Sequence, residues 1–248
     1  MDLGIAGRRA AVTAATGGLG FAAAAALAAE GVQVAICGRD RGRVDAAVER
    51  LGHGAVGLVA DVGTVEGATA WVAAAAEALG GIDILVPNAG GPPPGNFATA
   101  GLEQYLPAIE LNLLSVVAMC KAAIPSMQAQ RWGRVVAITS LAVRQPMANL
   151  ILSNTARAGA TGFLKTVARE VAADGVTVNS VLPGLHATDR VTQLYGGQPD
   201  GAALGIPAKV IGSPADFGQV VAFLCSEQAR YVTGTALAVD GGADSALL

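Results

Sequence analysis

Short apolar runs alternate with longer segments of helical periodicity along the first third of the chain. Arg9 to Thr13 (RAAVT) is such a run; ATGGLG then forms a turn, and FAAAAALAAEG continues as an alanine-rich helix. Further runs follow at VQVAICG, AVGLVAD and IDILVPNAGG, separated by helical segments at the spacing of right-handed βαβ units. This pattern predicts four parallel strands connected by crossover helices.

Two long helices and three more strands are predicted in the rest of the chain. The helices run from Leu102 to Gln130 and from about Ala148 to Ala173, on either side of the strand RVVAITS. GVTVNSVLPG and TALAVDGG are the sixth and seventh strands. The chain is therefore predicted to be a single α/β domain, residues 1–248, with a doubly wound sheet of seven mainly parallel strands. Residues 185–210 look irregular and are predicted to form a substrate lid.

The composition favours an oligomer that acts on a small molecule. Apolar residues make up 52% of the chain and charged residues only 14%, so subunit burial is expected, in a homodimer or homotetramer. A net charge of −3 offers no basic surface to nucleic acid or to a membrane. No secretory leader and no uninterrupted apolar run of about 18 residues is apparent, so a cytoplasmic location is expected.

The three cysteines are expected to be buried apolar residues. Cys37, Cys120 and Cys225 are widely spaced and lie outside any CxxC pattern. Their odd number argues against a disulfide framework, and their spacing argues against a metal site.

A glycine-rich turn joins the first strand to its helix. Such a turn lets backbone N–H groups and the positive end of the helix approach a pyrophosphate, because side chains would block the approach. Together with PNAG, Asn112, ITS, LPGxxxTD and YVTGTALAVDGG, in this order and spacing, the turn resembles the motifs of the classical short-chain dehydrogenase/reductase family over the whole chain. The resemblance implies a three-layer Rossmann-like fold. Ala14 and Pro87 stand where the family usually has glycine and asparagine.

The same resemblance implies a nucleotide site, with NADP(H) as its cofactor if it binds one. Arg39, directly after the second strand, is suited to a 2′-phosphate, and Gly38 occupies the position at which an NAD-specific site has a carboxylate. By resemblance, the remaining cofactor residues are Thr13, Gly18, Leu19, Gly20, Asp61, Val62, Asn88, Ala89, Gly90 and Thr188.

The catalytic positions depart from the family pattern. Members of the family use a serine, an asparagine, a tyrosine that delivers a proton, and a lysine four residues later. Ser140 and Asn112 match the first two, but Ser153 replaces the tyrosine and Arg157 replaces the lysine. A serine hydroxyl is a far weaker acid than a phenol, and arginine stays protonated. The usual proton delivery is therefore predicted to be disabled.

Other residues near the predicted mouth are candidates for the displaced chemistry. His186 lies just past the sixth strand, where such sheets bind ligands, and imidazole acts as an acid or base near neutral pH. The alternative is that it is a packing residue of the lid. Tyr195 on the lid is a candidate for covering the substrate. Arg144 is a candidate contact for an anionic group, and a surface salt bridge is the favoured alternative for it.

Three functions remain open at this stage. The first is an atypical enzyme that reduces a small apolar or aromatic carbonyl or imine with NADP(H), Ser140 and Ser153 orienting the substrate. The second is a cofactor-independent cyclase, dehydratase or tautomerase of a natural-product pathway, with His186 as its acid or base. Such an enzyme would resemble certain proteins of bisindole biosynthesis. The third is a catalytically inert partner protein. The SNTAR segment is similar to an atypical subgroup of the family whose members resemble β-ketoacyl-carrier-protein reductases.

Overall fold

The fold is a three-layer sandwich around a parallel sheet. The computed structural model describes residues 2–247, except for the side chain of Leu194. Within this part of the chain, seven strands lie in the spatial order β3-β2-β1-β4-β5-β6-β7, and every pairing between neighbours is parallel. The predicted doubly wound sheet is confirmed. The strands are β1 Arg9–Val12, β2 Gln33–Gly38, β3 Val56–Val59, β4 Ile84–Val86, β5 Gly133–Ile138, β6 Val176–Pro183 and β7 Ala236–Val239.

Helices cover both faces of the sheet. On one face, Leu27 and Phe217 belong to a core cluster with Ala10 of β1; on the other, Trp71 and Met119 belong to a second cluster. Side chains alternate along a strand, which lets one central sheet supply both cores. The α-helices are α1 Gly18–Ala29, α2 Arg41–Leu51, α3 Val65–Leu79, α4 Tyr105–Ile109, α5 Ser115–Ala129, α6 Ile151–Val171, α7 Asp189–Tyr195 and α8 Pro214–Leu224.

The strand order reverses at β1: β2 and β3 lie on one side of it, and β4 to β7 lie on the other. Val12 of β1 pairs with Ile36 of β2 on one side and with Val86 of β4 on the other. Ligands of open α/β sheets bind at such a switch point, outside the carboxyl ends of the strands. The fold therefore places the main cleft at the ends of β1 and β4.

The two long predicted helices have different starts and internal geometry from those expected. A 3-10 turn, Leu102–Gln104, precedes α4, and a π-helical turn, Glu110–Leu114, carries Asn112 between α4 and α5. The second long helix begins at Ile151 instead of Ala148, because Asn149 has a φ of +59°, outside the helical region.

The predicted lid is partly helical. Within residues 185–210, α7 begins after Thr188, whose hydroxyl accepts a hydrogen bond from the Val191 amide, and ends at Gly196 in a left-handed conformation. A threonine cap followed by an acidic residue and a terminal glycine are ordinary helix boundary signals, so the expectation of a wholly irregular segment was wrong.

The helix over residues Leu102–Ala129 is, by length and composition alone, apolar enough to cross a membrane. Half of its most apolar window is buried inside the protein, as in a helix that packs in a core. The cysteine expectation is confirmed for burial: Cys37, Cys120 and Cys225 are all free thiols in the interior.

Candidate nucleotide and substrate cleft

Side chains of two motifs join the carboxyl ends of β1 and β4. The Thr13 hydroxyl donates to the carbonyl oxygen of Asn88 and accepts from its amide, both at 2.6 Å. The Asn88 amide group donates in turn to the carbonyl oxygens of Thr13 and Ala14, both at 3.3 Å. These bonds hold the turn after β1 against the turn after β4, which fixes the floor of the cleft.

The glycine turn exposes the start of α1. The helix follows Gly17, which has no side chain to cap its first N–H groups, so those groups are free to meet an anion. A Cβ on Gly20 would lie 2.7 Å from both the carbonyl oxygen of Ala14 and Nδ2 of Asn88. Glycine is thus required for close packing at this position, while Gly18 and Leu19 line the cleft beside it.

A cleft of about 540 Å³ lies beyond the ends of β2 and β3. It is lined by Arg39 and Arg43, and within residues 2–247 neither guanidinium has a carboxylate partner within 4.0 Å. Gly38 faces the Thr16 methyl group so closely that a side chain there would clash. A carboxylate at position 38 is therefore excluded. Asp40 and Asp61 also line this cleft, where the two cations suit a phosphate. The predicted cofactor residues that also line this cleft are Asp61, Val62, Ala89 and Gly90.

Arg43 is a site residue that sequence reasoning missed. It lies in the first turn of α2, and its Nη2 is 3.9 Å from the position that a Cβ on Gly17 would occupy. The guanidinium therefore lies beside the glycine turn, in the cleft that Arg39 also lines. The signal in the sequence was the cluster of Arg39, Arg41 and Arg43 directly after the second strand.

A second cleft, of about 580 Å³, adjoins the first and extends to the ends of β5 and β6. Ala14, Thr16, Arg43 and the loop after β4 border both clefts. Most of the catalytic candidates meet in the second one; the predicted residues that line it are Ser140, Ser153, Arg157, His186 and Thr188.

The two serine hydroxyls face this cleft. The Ser140 oxygen accepts a hydrogen bond of 3.1 Å from the Ala142 amide, which fixes its direction after β5. Ser153, in the first turn of α6, is 7% exposed. Among the hydrogen bonds of residues 2–247, neither hydroxyl donates to a protein acceptor, so both protons are available to an oxygen or nitrogen of a ligand.

Arg157 forms the floor of the cleft that the two serines also line. Its Nη1 donates to the carbonyl oxygens of Ile138 and Thr139 at 3.2 and 3.1 Å, and its Nη2 donates to that of Ala89 at 3.3 Å. Burial, and secondarily the charge of Arg190, lowers the pKa of Arg157 to about 10. The guanidinium is thus still a cation at neutral pH, held by the ends of β4 and β5.

Asn112 lies behind the cleft on the π-helical turn. Its Nδ2 donates to the Gly90 carbonyl oxygen at 2.9 Å, while its Oδ1 is buried and has no partner among residues 2–247. A buried amide oxygen without a partner is the kind of group that binds water or a ligand proton.

His186 is on the cleft wall but is tightly confined. Its ring packs edge-on against Phe217 with centroids 5.1 Å apart, Nδ1 lies 3.1 Å from the Gly184 carbonyl oxygen, and the residue is 4% exposed. Burial lowers the pKa of His186, which favours a neutral imidazole at pH 7. A buried, neutral imidazole is a poorer general acid than the position of His186 in the sequence indicates.

The structure does not bring the two predicted substrate residues to the cleft. Arg144 donates to the Ala236 carbonyl oxygen and lies 3.5 Å from Asp244, which ties it to β7 and the C-terminal segment. Arg144 therefore does not lie on the cleft wall. It forms the surface ion pair that was the alternative role for this residue. Tyr195 is 45% exposed at the end of α7 and does not line either cleft.

A parallel, doubly wound sheet with a glycine turn and a phosphate-accepting cleft at its switch point defines a dinucleotide-binding α/β protein. The family model described as enoyl-(acyl carrier protein) reductase matches residues 13–244. The chain is 35% identical to dehydrogenase/reductase SDR family member 4 of Oryctolagus cuniculus, over 98% of this chain and 96% of that protein. The chain belongs to the short-chain dehydrogenase/reductase family, a family of oxidoreductases.

Two solved structures are similar over nearly the whole chain. L-sorbose reductase from Gluconobacter frateurii, in complex with NADPH and L-sorbose, has a TM-score of 0.92 and 32% identity, and the match covers 100% of both chains. An NADPH-bound short chain oxidoreductase from Pseudomonas aeruginosa PAO1, described as containing an atypical catalytic center, has a TM-score of 0.89 and 29% identity, covering 96% of this chain and 97% of that chain.

Proposed function

We propose that this protein is an NADP(H)-dependent reductase of a small apolar or aromatic carbonyl or imine. One observation carries the proposal: the glycine turn and the guanidinium groups of Arg39 and Arg43, unpaired among the described residues, border one continuous cleft that opens into the cleft of Ser140 and Ser153. Similar proteins bind NADPH in structures of the same fold. The free N–H groups of α1 would hold the pyrophosphate, and the two arginines would hold a 2′-phosphate.

The residues of the second cleft fit the remaining tasks of a reductase. NADPH, when bound, supplies a hydride. The hydroxyls of Ser140 and Ser153 donate to the oxygen or nitrogen that accepts charge, and the Arg157 cation lowers the cost of that charge. His186 or water supplies the proton; the buried, neutral imidazole favours water. An imine needs less help from a strong acid, because its nitrogen is more basic than a carbonyl oxygen.

The decisive experiment is a titration of the purified protein with NADPH, followed by the fluorescence of the cofactor. We expect saturable binding, weaker binding of NADH, and loss of the preference for NADPH in Arg43→Gln. Arg41→Gln is the matched control, because Arg41 lies on the same helix turn, does not line either cleft and pairs with Asp45 at 3.6 Å. Absence of binding at millimolar NADPH would overturn the reductase function.

A non-redox acid–base enzyme is the second candidate, and one observation favours it. Ala14 adopts a φ of +47° in the glycine turn, a conformation that costs an alanine about 1 kcal/mol. A strained alanine at this position fits a turn that no longer has to bind a cofactor. In that case the same NADPH titration gives no binding, while ligands of the second cleft still bind.

Assembly as a homodimer or homotetramer in the cytoplasm remains part of the proposal. Large apolar side chains lie exposed along the first long helix and just before it, and they support subunit contacts there. Size-exclusion chromatography with light scattering tests the assembly; a monomer at micromolar concentration would contradict it. These exposed residues are Phe97, Leu102, Leu106 and Leu114.

A further inference from the structure

Three arginines line the second cleft: Arg43, which is assigned above to the cofactor phosphate, and Arg157 and Arg190, which come from two other elements. Arg157 projects from α6 at the floor, and Arg190 projects from α7, the helix of the predicted lid. A Cβ built on Gly91 would lie 2.9 Å from Nη2 of Arg190 and 3.1 Å from its Nη1. The absence of a side chain on Gly91 therefore lets the Arg190 guanidinium lie over the loop after β4, at the edge of the second cleft.

Neither arginine has an anionic partner in the described protein. Within residues 2–247, no carboxylate lies within 4.0 Å of Arg157 or Arg190, although Asp189 lines the same cleft. Arg157 uses three of its N–H groups on backbone carbonyls, which leaves Nε and one Nη2 hydrogen without a described acceptor. A buried cation without a counter-ion is costly unless an anion joins it.

The rest of the cleft is apolar or is assigned to other groups. Pro92, Leu150 and Val191 line it near the lid, and the serine hydroxyls lie beside Arg157. Phosphates of a dinucleotide would meet the start of α1 and the cleft of Arg39 and Arg43. The two unpaired guanidiniums of α6 and α7 are thus available to a second, smaller anion that carries an apolar substituent.

We propose that the substrate is an oxo acid: a carbonyl compound whose carboxylate lies next to the reacting carbon and binds between Arg157 and Arg190. The proposal rests on the reductase function and names its substrate class. Arginine binds carboxylates through paired N–H donors, which fixes the plane of the acid and with it the carbonyl. The apolar substituent of the acid packs on Leu150 and Val191, and the carbonyl oxygen lies toward the serine hydroxyls.

The chemistry balances with the carboxylate as a spectator. Hydride adds to the carbonyl carbon, the electron pair of the C=O π bond moves to the oxygen, and a proton from water completes the hydroxyl group. NADPH becomes NADP⁺, and the carboxylate is unchanged. Arg157 and Arg190 bind the acid in both the substrate and the product, so they act in positioning and selection and are not proton donors.

Benzoylformate and its methyl ester are suitable probes, because they share the phenyl group and the ketone but differ in charge. We expect calorimetry on the NADP⁺ complex to show at least about tenfold tighter binding of the acid. Arg190→Gln should remove most of this preference without changing the affinity for the ester, and Arg190→Lys should restore part of it. Arg41→Gln is the matched control, because Arg41 lines neither cleft; it should leave both the NADP⁺ affinity and the acid preference intact.

Three results would overturn the proposal. Equal affinities for acid and ester in the wild-type protein exclude a carboxylate site. An acid preference that survives in Arg190→Gln excludes Arg190 from it. Loss of NADP⁺ affinity in Arg190→Gln, with no change in the acid preference, assigns Arg190 to the cofactor pyrophosphate instead. If the protein binds no NADP⁺ at all, the reductase function fails, and the same acid and ester titrations on the cofactor-free protein still decide whether the anion site exists.

Discussion

The Arg157 guanidinium donates a hydrogen bond of 3.1 Å to the carbonyl oxygen of Thr139, at the residue that follows β5. Together with its bonds to Ile138 and Ala89, this contact makes Arg157 a structural bridge between the ends of β4 and β5. A lysine has one nitrogen and could not span three carbonyl oxygens in the same geometry. The arginine at this position therefore holds the floor of the cleft together and also gives the cleft a positive charge.

Replacing Arg157 by methionine should destabilise the protein by about 2–4 kcal/mol, because three carbonyl oxygens lose a charged donor inside the protein. Urea unfolding at neutral pH measures the change. Arg41→Met, an exposed arginine with one surface ion pair, is the control and should leave the unfolding midpoint nearly unchanged. Equal effects of the two substitutions would show that Arg157 is not a structural bridge.

Gly20→Ala should destabilise the protein by about 1–3 kcal/mol and weaken NADPH binding, because the added methyl group meets backbone oxygen and the Asn88 amide at 2.7 Å. Thermal unfolding and the fluorescence titration check the two effects. Gly42→Ala is the control: a Cβ there makes only ordinary contact, at 3.5 Å from the Asp40 carboxylate. It should be neutral or slightly stabilising. Normal NADPH affinity in Gly20→Ala would remove this turn from the cofactor site.

Ala14→Gly should stabilise the protein by about 0.5–1 kcal/mol, since Ala14 has a φ of +47°, where glycine is not strained. The opposite sign is expected for Ala25→Gly, in the interior of α1, which should cost about 1 kcal/mol. The free energy of unfolding in urea measures both. A loss of stability in Ala14→Gly would mean that its methyl group contributes more than its backbone strain costs.

The fold could be predicted from the sequence because its signals are local. Apolar runs of strand length, helical segments between them and the glycine turn together indicate the parallel sheet and the position of its ligand cleft. The chemistry of the cleft followed in part from motif spacing, which brought Ser140, Ser153 and Arg157 to one wall.

Other features depend on tertiary contacts and have no local signal. Helix α6 begins later in the chain than predicted because the Asn149 carbonyl oxygen accepts a hydrogen bond from the Gly95 amide, 54 residues away. This contact holds Asn149 at a positive φ. Arg190 reaches the cleft only because Gly91 of a distant loop leaves room for it. Arg144 lies away from the cleft for the same reason, since its partners are in β7 and the C-terminal segment, and the surface ion pair was the favoured role for it.

The three thiols should be unreactive in the folded protein. Burial raises the pKa of Cys37, Cys120 and Cys225 to about 12 in each case, so the thiolate is scarce at pH 8 and the reagent has no access. We expect no rapid reaction with a thiol-specific chromogenic disulfide, and reaction of all three after unfolding in urea. Stability should also fall as the pH rises from about 9 toward 12, where only the unfolded thiols ionise. Fast labelling of one thiol in the native protein would reveal local opening.

His186 should make the folded protein sensitive to acid. Because burial lowers its pKa in the folded state, the unfolded chain binds the proton more readily, so stability is greatest above pH 6.5 and decreases as the pH falls through the folded pKa. His186→Asn, whose side-chain amide can still donate to the Gly184 carbonyl oxygen, should flatten the stability profile below pH 6.5. His53→Asn, on the exposed turn between α2 and β3, is the control and should keep the wild-type profile. Urea unfolding between pH 5 and pH 8 separates the two variants, and an unchanged acid-side slope in His186→Asn would show that this imidazole is not held neutral by the fold.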